Sequence, residues 1–336
     1  MAITQAFTME GDKGNILQDF DRAELKLKEC GRDIEQLLEK LLKRRGAKPH
    51  QLTHRVKDRY SLEKKLARKN YKYSSLDELT DLIGVRVITY FEDDIDIIAG
   101  IINDEFLIDY ENSIDKRKVE PEKFGYRSLH YVFSIKPERA AMAEYENLAN
   151  VKVEIQIRSI LQHSWAEIEH DLGYKGANEI PDTARRTFYR VAALLEQADI
   201  EFVKLKNEIE QYEKEMPQRI AENAAAVKVD KASVISFINK NAILAKIEDD
   251  FAKKFKLNVV PSDDIMGGLL PTILSEYGID TVEKLIESYR IHMKEIEDQG
   301  EASYDRNPEY YKKDRSILKG SSLLWLCDFL NEERFS

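Results

Sequence analysis

Two carboxylates in strand-like segments are the first residues whose chemistry can be read from the sequence. Glu154 lies in VKVEIQIR at 151–158, and Asp81 stands just before the apolar run of LTDLIGVRVITYF at 79–91. Carboxylate oxygens on neighbouring strands are the hard ligands that Mg²⁺ takes, and Mg²⁺ in turn bridges phosphates. Taken alone, Asp81 fits a turn or cap residue better, so this hypothesis depends on the residues around the pair.

The segment at 151–158 is predicted to be a strand with two unlike faces. Its apolar face consists of Val151, Val153, Ile155 and Ile157. Its polar face consists of Lys152, Glu154, Gln156 and Arg158. A solvent-facing antiparallel strand alternates in the same way, so the polar face by itself does not establish a site.

A basic segment at 54–70, HRVKDRYSLEKKLARKN, holds seven Lys or Arg residues against two acidic ones. Ser61 is predicted to be the N-cap of a helix, and helical spacing places four residues on the face opposite Leu62 and Leu66. Those four residues are Ser61, Lys64, Lys65 and Arg68. A capped helix start with cations along one face is an anion site of the kind that triphosphates use, although many such runs are solvated helix faces. No glycine-rich P-loop is present in the sequence.

The stretch EPEKFGYRSLHYVF at 120–133 places a glycine and an aromatic residue ahead of a strand-like run. Leu129, Tyr131 and Phe133 alternate with the period of a strand that packs one face on a core. Ser128 and His130 fall on the other face, and a purely structural strand has no need of them.

A helix is predicted over ILQHSWAEIEHDLGYK at 160–175. Its apolar positions, expected to be buried, are Leu161, Trp165, Ile168 and Leu172. His163, Glu167 and His170 share a different face, which is either a functional surface next to the strand at 151–158 or a solvated one.

The elements that must position these residues favour an α+β fold. Strand-like runs at 84–91, 105–110, 128–135 and 151–158 alternate with helical stretches, which predicts a mixed sheet flanked by helices over roughly 45–175. Amphipathic helices are predicted at 15–45 and 183–216. The stripe of the first contains Leu25, Leu27, Ile34, Leu37, Leu38, Leu41 and Leu42. The predicted domains are an N-terminal helical segment at 1–45, a catalytic domain at 46–178, a long helical extension at 179–220 and an all-helical C-terminal domain of unassigned role at 221–336.

Composition limits the class of protein. The 336 residues are 43% hydrophobic and 34% charged, which is typical of a soluble globular protein. No apolar run of about 18 residues and no secretory signal is found, so we expect a cytoplasmic protein without membrane contact. Cys30 and Cys327 have no ligand-like spacing and predict neither a disulfide framework nor a zinc site. A net charge of −10 argues against a surface that binds nucleic acid throughout.

Five blocks in order, HRVKDRYSLEKK, TDLIGVRVI, FGYRSLHYVF, VEIQIRS and WAEIEHDLGYK, resemble the synthetase domain of the RelA/SpoT-type alarmone synthetases over about 45–175. The resemblance implies a nucleotidyltransferase-like fold and a GTP diphosphokinase activity. In this reaction the β,γ-pyrophosphate of ATP is transferred to the ribose 3′-hydroxyl of GDP or GTP, which makes (p)ppGpp.

The resemblance also implies roles on the ATP side. Arg55 and Arg86 would sandwich the adenine. The triphosphate would be held by Lys57, Ser61, Lys65 and Arg68. Asp81 and Glu154 would bind Mg²⁺, and Glu154 would help to deprotonate the attacking hydroxyl.

On the acceptor side, the resemblance implies that Tyr126 stacks on the guanine. The acceptor would be organised by His130, Gln156 and Arg158. His163 stands where small synthetases of the family often carry Asn, in the guanine pocket, whereas the other acidic member of that pocket, Glu169, is retained.

Two further expectations concern what surrounds the synthetase blocks. Bifunctional family members carry an N-terminal hydrolase domain, and only about 45 residues precede the blocks here, so we expect no alarmone hydrolase activity. The long helix at 183–216 makes a homo-oligomer plausible.

Two alternatives stay open. Some relatives are toxins that make adenosine alarmones or pyrophosphorylate the 3′ end of tRNA, and the C-terminal region would then be a control module. Basic residues that such a tRNA mode could use are KRR at 43–45, Lys116, Arg117 and Lys118. A third hypothesis is a degenerate nucleotide-binding module, and the two retained carboxylates argue against it.

Overall fold

The structure is a computed structural model, and it describes residues 16–115, 117, 128–172, 181–262 and 268–335. It divides into two compact units, 1–205 and 206–336. The division falls inside one long helix. The four-part domain scheme at 1–45, 46–178, 179–220 and 221–336 stays a prediction.

The first unit is built on one mixed sheet. Its strands in chain order are β1 (Gln51–Val56), β2 (Ile83–Thr89), β3 (Phe106–Ile108), β4 (Ile114–Asp115), β5 (Leu129–Ile135) and β6 (Val153–Ser159). The spatial order is β1-β2-β6-β5-β3, and β4 also pairs with β5. The β2–β6 pair is parallel, and the other pairs are antiparallel. The predicted α+β fold with a mixed sheet is therefore confirmed.

Helices of the first unit precede, follow and connect these strands. They are α1 (Ile16–Arg44), α2 (Arg59–Arg68), α3 (Asp94–Glu105), α4 (Pro137–Ala140), α5 (Ile160–Asp171) and α6 (Asp182–Asn223), the last of which continues into the second unit. Short 3₁₀ turns occur at Leu76–Glu78, Ala143–Leu148 and Ala224–Ala226.

Amphipathic periodicity explains why α1 packs against the first unit's core. Leu27, Ile34 and Leu38 are almost completely buried and belong to the same cluster as the apolar residues of β2 and β6. Leu25 was predicted to share this stripe, and that was wrong, because its side chain is 69% exposed. The apolar face predicted for β6 is confirmed. Its members, together with the residue just before the strand, are fully or almost fully buried: Val151, Val153, Ile155 and Ile157.

Helix α5 begins directly at the end of β6 because Ser159 and Gln162 form a capping box at its first turn. Trp165 is buried as predicted and stacks on Phe188 of α6, with ring centroids 3.6 Å apart. The predicted burial of Ile168 and Leu172 was wrong, since they are 52% and 62% exposed. The buried part of α5 is therefore its first half, which follows directly from the sheet.

The second unit has a separate core and is mostly helical. Besides the end of α6, its helices are α7 (Lys231–Lys240), α8 (Ala242–Phe255), α9 (Leu270–Glu276), α10 (Val282–Ile291), α11 (Met293–Arg306), α12 (Pro308–Asp314) and α13 (Ser321–Phe335). Two three-residue strands, β7 (Asn258–Val260) and β8 (Ser316–Leu318), form a small parallel sheet. The C-terminal region is thus mostly helical, but the prediction that it is all helical was wrong. The two strands were not predicted because a run of three residues is too short to show a periodic pattern.

The helices of the described residues were compared with the requirements for crossing a membrane. None of these helices combines the length and the apolar character that crossing a bilayer requires.

Candidate active site

The strand register brings the predicted polar residues onto one face of the sheet. Residues paired across neighbouring strands point to the same side. Arg86 of β2 pairs with Gln156 of β6, which in turn pairs with His130 of β5. Two residues earlier on both strands, Glu154 of β6 pairs with Gly84 of β2, so it lies on the same face. The separate signals at 84–91, 128–135 and 151–158 therefore describe a single surface.

Strand β1 supplies the edge of this surface, and it was not predicted as a strand. Its Arg55 pairs with Gly84 and lies across it, so that a Cβ atom at Gly84 would meet the Arg55 side chain at 3.5 Å. A cavity above the sheet is lined by Thr53, His54, Arg55, Gly84, Val85, Arg86 and Gln156. The two arginines predicted on the ATP side thus line the same cavity.

Asp81 lies between two lysines. Its carboxylate is 2.6 Å from Nζ of Lys65 on α2 and 3.2 Å from Nζ of Lys57. Burial alone would raise the pKa of Asp81, but the hydrogen bond from Lys65 and the charges of both lysines bring the pKa below its ordinary value. Asp81 is therefore ionised at neutral pH, and both cations are held beside it.

Glu154 is paired with His130 across β5 and β6, with 3.1 Å between Oε1 and Nδ1. Burial would raise the pKa of Glu154, and so would the negative charge of Asp81. The hydrogen bond from His130 and its charge outweigh both, so the pKa of Glu154 is also below its ordinary value. Asp81 lies two residues before the start of β2, and Gly84 of β2 pairs with Glu154, so the two carboxylates lie near the same end of this strand pair.

The carboxylates of Asp81 and Glu154 can supply part of the coordination shell of Mg²⁺. Among the residues that the structure describes, no group of three or more His, Cys, Asp or Glu side chains is arranged to hold a metal ion. Within the described ranges, therefore, no third His, Cys, Asp or Glu joins Asp81 and Glu154 in a metal-binding arrangement. Mg²⁺ bound by one or two carboxylates typically completes its coordination with water and substrate phosphates.

Helix α2 presents its cations as the sequence predicts, but its cap is different. Ser61 was predicted to be the N-cap, and that was wrong: the helix begins at Arg59, and the side chain of Asp58 accepts a hydrogen bond from the Ser61 backbone N–H at 2.8 Å. Asp58 takes the cap because it stands three residues ahead of that N–H. Ser61 and Arg68 are exposed on the first and last turns of the helix.

Glu167 is a site residue that sequence reasoning singled out only as part of a helix face. Its Oε1 is 3.2 Å from Arg86 and 3.8 Å from Arg158, which is itself buried. His163, one turn earlier on α5, lies 3.6 Å from the same oxygen. Burial lowers the pKa of His163, and the Arg158 charge lowers it further despite the opposite effect of Glu167. His163 is therefore neutral at pH 7.

Among the other residues predicted for the site, the structure describes Glu169 but not Tyr126. Glu169 is half-buried on α5. Tyr126, with the neighbouring Gly125, falls outside the described residues, as do Lys116 and Lys118.

Comparison with known proteins identifies the family. Residues 54–179 match the family model described as "Region found in RelA / SpoT proteins". The GTP pyrophosphokinase YjbM of Bacillus subtilis is 30% identical over 163 residues, which cover 48% of this chain and 73% of that protein. The GTP pyrophosphokinase YwaC of the same organism is 29% identical over 162 residues, covering 46% and 73%.

A solved structure, small alarmone synthetase 1 from Bacillus subtilis, aligns with 58% of this chain and 99% of its own, at 24% identity and a TM-score of 0.49. The extent and identity of the match to YjbM place the chain within the group that the five sequence blocks indicated. This protein belongs to the RelA/SpoT family of (p)ppGpp synthetases.

Proposed function

We propose that this protein is an ATP:GTP/GDP 3′-pyrophosphotransferase that makes (p)ppGpp. The observation that carries the proposal is the position of Asp81, held between Lys57 and Lys65 and close to the end of the β2–β6 pair that carries Glu154, in a chain of this family. Two cations and two ionised carboxylates in one space can bind a metal–triphosphate complex. The names of the relatives, both GTP pyrophosphokinases, support the same reaction.

On the donor side, we assign the cavity over β1 and β2 to the adenine, between Arg55 and Arg86. The triphosphate would lie along α2. Residues in position to bind it are Lys57, Ser61, Lys65 and Arg68. Lys57 and Lys65 are already fixed by Asp81, so that little side-chain entropy is lost when phosphate arrives.

On the acceptor side, the 3′-hydroxyl oxygen would form a bond to the β-phosphorus of ATP while the bond from that phosphorus to the α,β-bridging oxygen breaks. AMP leaves, and the hydroxyl proton is lost. Glu154 is ionised and so able to accept this proton, with His130 orienting its carboxylate. Gln156, Arg158, His163, Glu169 and Tyr126 are assigned to binding the acceptor.

Asp81 and Glu154 would hold Mg²⁺, whose positive charge would offset that of the phosphates. The protein groups mainly position and neutralise the reactants, which is what phosphoryl-type transfer requires.

Self-association stays a prediction. Apolar side chains on α6 within the first unit support it. They include Leu194, Phe202 and Leu205, which are 69%, 47% and 49% exposed.

The test is incubation of the purified protein with γ-³²P-ATP and Mg²⁺ in separate reactions with GDP, GTP, ADP, AMP and deacylated tRNA. We expect label in the tetra- and pentaphosphate of guanosine, identified by chromatography. Label only in adenosine products or in tRNA would retain the transfer reaction and overturn the acceptor. Since the protein is acidic overall, tRNA is not the acceptor that its charge favours.

A further inference from the structure

The second unit contains a large cavity that the transfer reaction does not use. It lies among the ends of α9, α11 and α12, strand β8 and one side of α13. Its floor is apolar and well buried, with Ile317, Tyr311 and Trp325 only 4%, 7% and 3% exposed. A cavity of this kind lined by aromatic residues is typical of a binding site.

The rim of this cavity differs in character from its floor. Tyr310 is 65% exposed and meets Tyr311 edge to face, with ring centroids 5.3 Å apart. Exposed tyrosines at the edge of an apolar cavity are frequent anchors of protein interfaces. Tyr277, also on the rim, donates a hydrogen bond to Asn331 at 3.3 Å, which fixes that side of the opening.

The charge of the lining has a single sign. Asp314 and Asp328 line the cavity, and no Lys or Arg is among its described lining residues. Arg306 approaches Asp328 to 4.0 Å, but both side chains are more than half exposed, so this contact is weak. Nucleotides and other phosphate-bearing ligands are disfavoured here, whereas a cation gains from the carboxylates and from the aromatic faces.

The strand in the lining of the cavity favours an extended peptide over a small organic cation as the ligand. Strand β8 lines the cavity and, in the part of the chain that the structure describes, has β7 as its one strand partner. An extended segment that adds to β8 on the side away from β7 would bond through its main chain and send alternate side chains to the same side. One such side chain would reach the apolar floor, and another, two residues along the segment, would reach the acidic rim.

We propose that the second unit binds an extended peptide segment that carries an apolar side chain close to a lysine or arginine, with the apolar group over Trp325 and the cation near Asp314 and Asp328. This inference is independent of the transfer reaction in the first unit. It gives the C-terminal region a recognition function.

The test is selection of a displayed random dodecapeptide library on the immobilised full-length protein. The selected peptides should combine an aromatic or large aliphatic residue with Lys or Arg. Their affinity is then measured by fluorescence anisotropy of labelled synthetic peptides.

Three comparisons decide the outcome. Replacing the selected Lys or Arg by Gln in the peptide should weaken binding about 10-fold or more, as should the double variant Asp314→Asn/Asp328→Asn and the variant Tyr310→Ala. Asp249→Asn, an exposed change on α8 outside the cavity, should leave affinity unchanged. The peptide change keeps the test decisive even where a protein variant does not fold.

Several results would overturn the proposal. These are a selection that enriches no peptide, enriched peptides without a basic residue, and binding that survives both the cavity variants and the Lys or Arg replacement. Saturable binding of benzyltrimethylammonium alone, with no peptide selected, would instead assign the cavity to small organic cations.

Discussion

Asp81 shows how a single residue joins the two halves of the site. It fixes Lys57 and Lys65, and its charge acts on Glu154. Its sequence position before an apolar run indicated a strand entrance, but the partners could not be read from spacing, because Lys57 and Lys65 lie on another segment. Asp81 is therefore both an ion-pair partner of two lysines and one of the two proposed metal ligands.

Asp81→Asn should destabilise the first unit at neutral pH by about 1–3 kcal/mol, since two largely buried lysines lose their countercharge. The pKa of Asp81 is lowered in the folded protein, so its contribution is complete above the ordinary carboxyl range and is lost as the pH falls through the folded-state pKa. Urea unfolding at a series of pH values should show a wild-type advantage that is constant from about pH 5 to 8 and shrinks in acid. Glu63→Gln, an exposed change on α2, is the control, and an advantage that does not shrink would contradict the assignment.

Glu167 acts through another residue and is assigned as a positioning residue. Its ion pair with Arg86 at 3.2 Å holds a guanidinium that lines the cavity over β1 and β2, which we propose binds the adenine. Glu167→Gln should raise the KM for ATP about 3- to 10-fold and change kcat much less, because orientation of Arg86 affects donor binding.

Steady-state kinetics with varied ATP measure this split, and Glu167→Asp should recover part of the loss. Equal loss of kcat with an unchanged KM for ATP would contradict the positioning role. Helical spacing linked Glu167 only to His163 and His170. That Arg86 reaches Glu167 follows from the sheet pairing, which no local pattern contains.

At the scale of elements, the alternation of apolar and polar residues was the part of the fold that the sequence predicted well, whereas the cap predicted at Ser61 was wrong. Strand β6 has a strict period of two, and the first turn of α5 has its own capping residues, so both are encoded locally. Strand β1 was missed because its polar residues belong to the basic segment, and its strand form depends on pairing with β2. The burial of Ile168 and Leu172 was predicted wrongly. Helical periodicity identifies the apolar face of a helix, but it does not show how much of the length of that face is covered by neighbouring elements.

The contact of α1 with β1 gives a prediction at this scale. A Cβ atom at Gly31 would lie 2.7 Å from the ring of His54, which is also held by Glu35. Gly31→Ala should therefore lower the free energy of unfolding by about 1–3 kcal/mol and reduce kcat/KM, since His54 precedes Arg55 on β1.

Gly100→Ala is a matched change in α3, where no atom lies within 4 Å of the added methyl group. It should leave kcat/KM unchanged and raise stability by up to about 1 kcal/mol. Chemical denaturation and kinetics of both variants check this. Equal effects of the two substitutions would show that the α1–β1 contact does not position the site.

Each of the two units of the whole molecule contains one of the chain's two tryptophans: Trp325 lies in the main core of the second unit, and Trp165 lies in a small separate cluster with Phe188 and Ala192 in the first. The pKa values of buried carboxylates in the two units are shifted in opposite directions. In the second unit, burial raises the pKa of Glu248, outweighing hydrogen bonds donated by the Gly320 and Ser322 backbones. In the first unit, the pKa values of Asp81 and Glu154 are lowered.

This difference predicts unlike responses to acid. A raised carboxyl pKa makes stability fall as the pH rises from the unfolded-state to the folded-state value, so acidification through this window favours the second unit. The lowered pKa values of the first unit make it lose stability in acid. We expect the fluorescence of Trp165, measured in Trp325→Phe, to report acid unfolding at a higher pH than that of Trp325, measured in Trp165→Phe. The reverse order would contradict the opposed shifts.

The measurement that tests the central claim most directly is pyrophosphate transfer from γ-³²P-ATP to GDP and GTP by the wild type and by Glu154→Gln, with folding checked by circular dichroism. The site predicts labelled (p)ppGpp from the wild type and a loss of at least about 100-fold in the variant, the scale expected for removing a general base and metal ligand. Transfer that persists at the wild-type rate in Glu154→Gln would show that the surface around Asp81 and Glu154 is not where the reaction occurs.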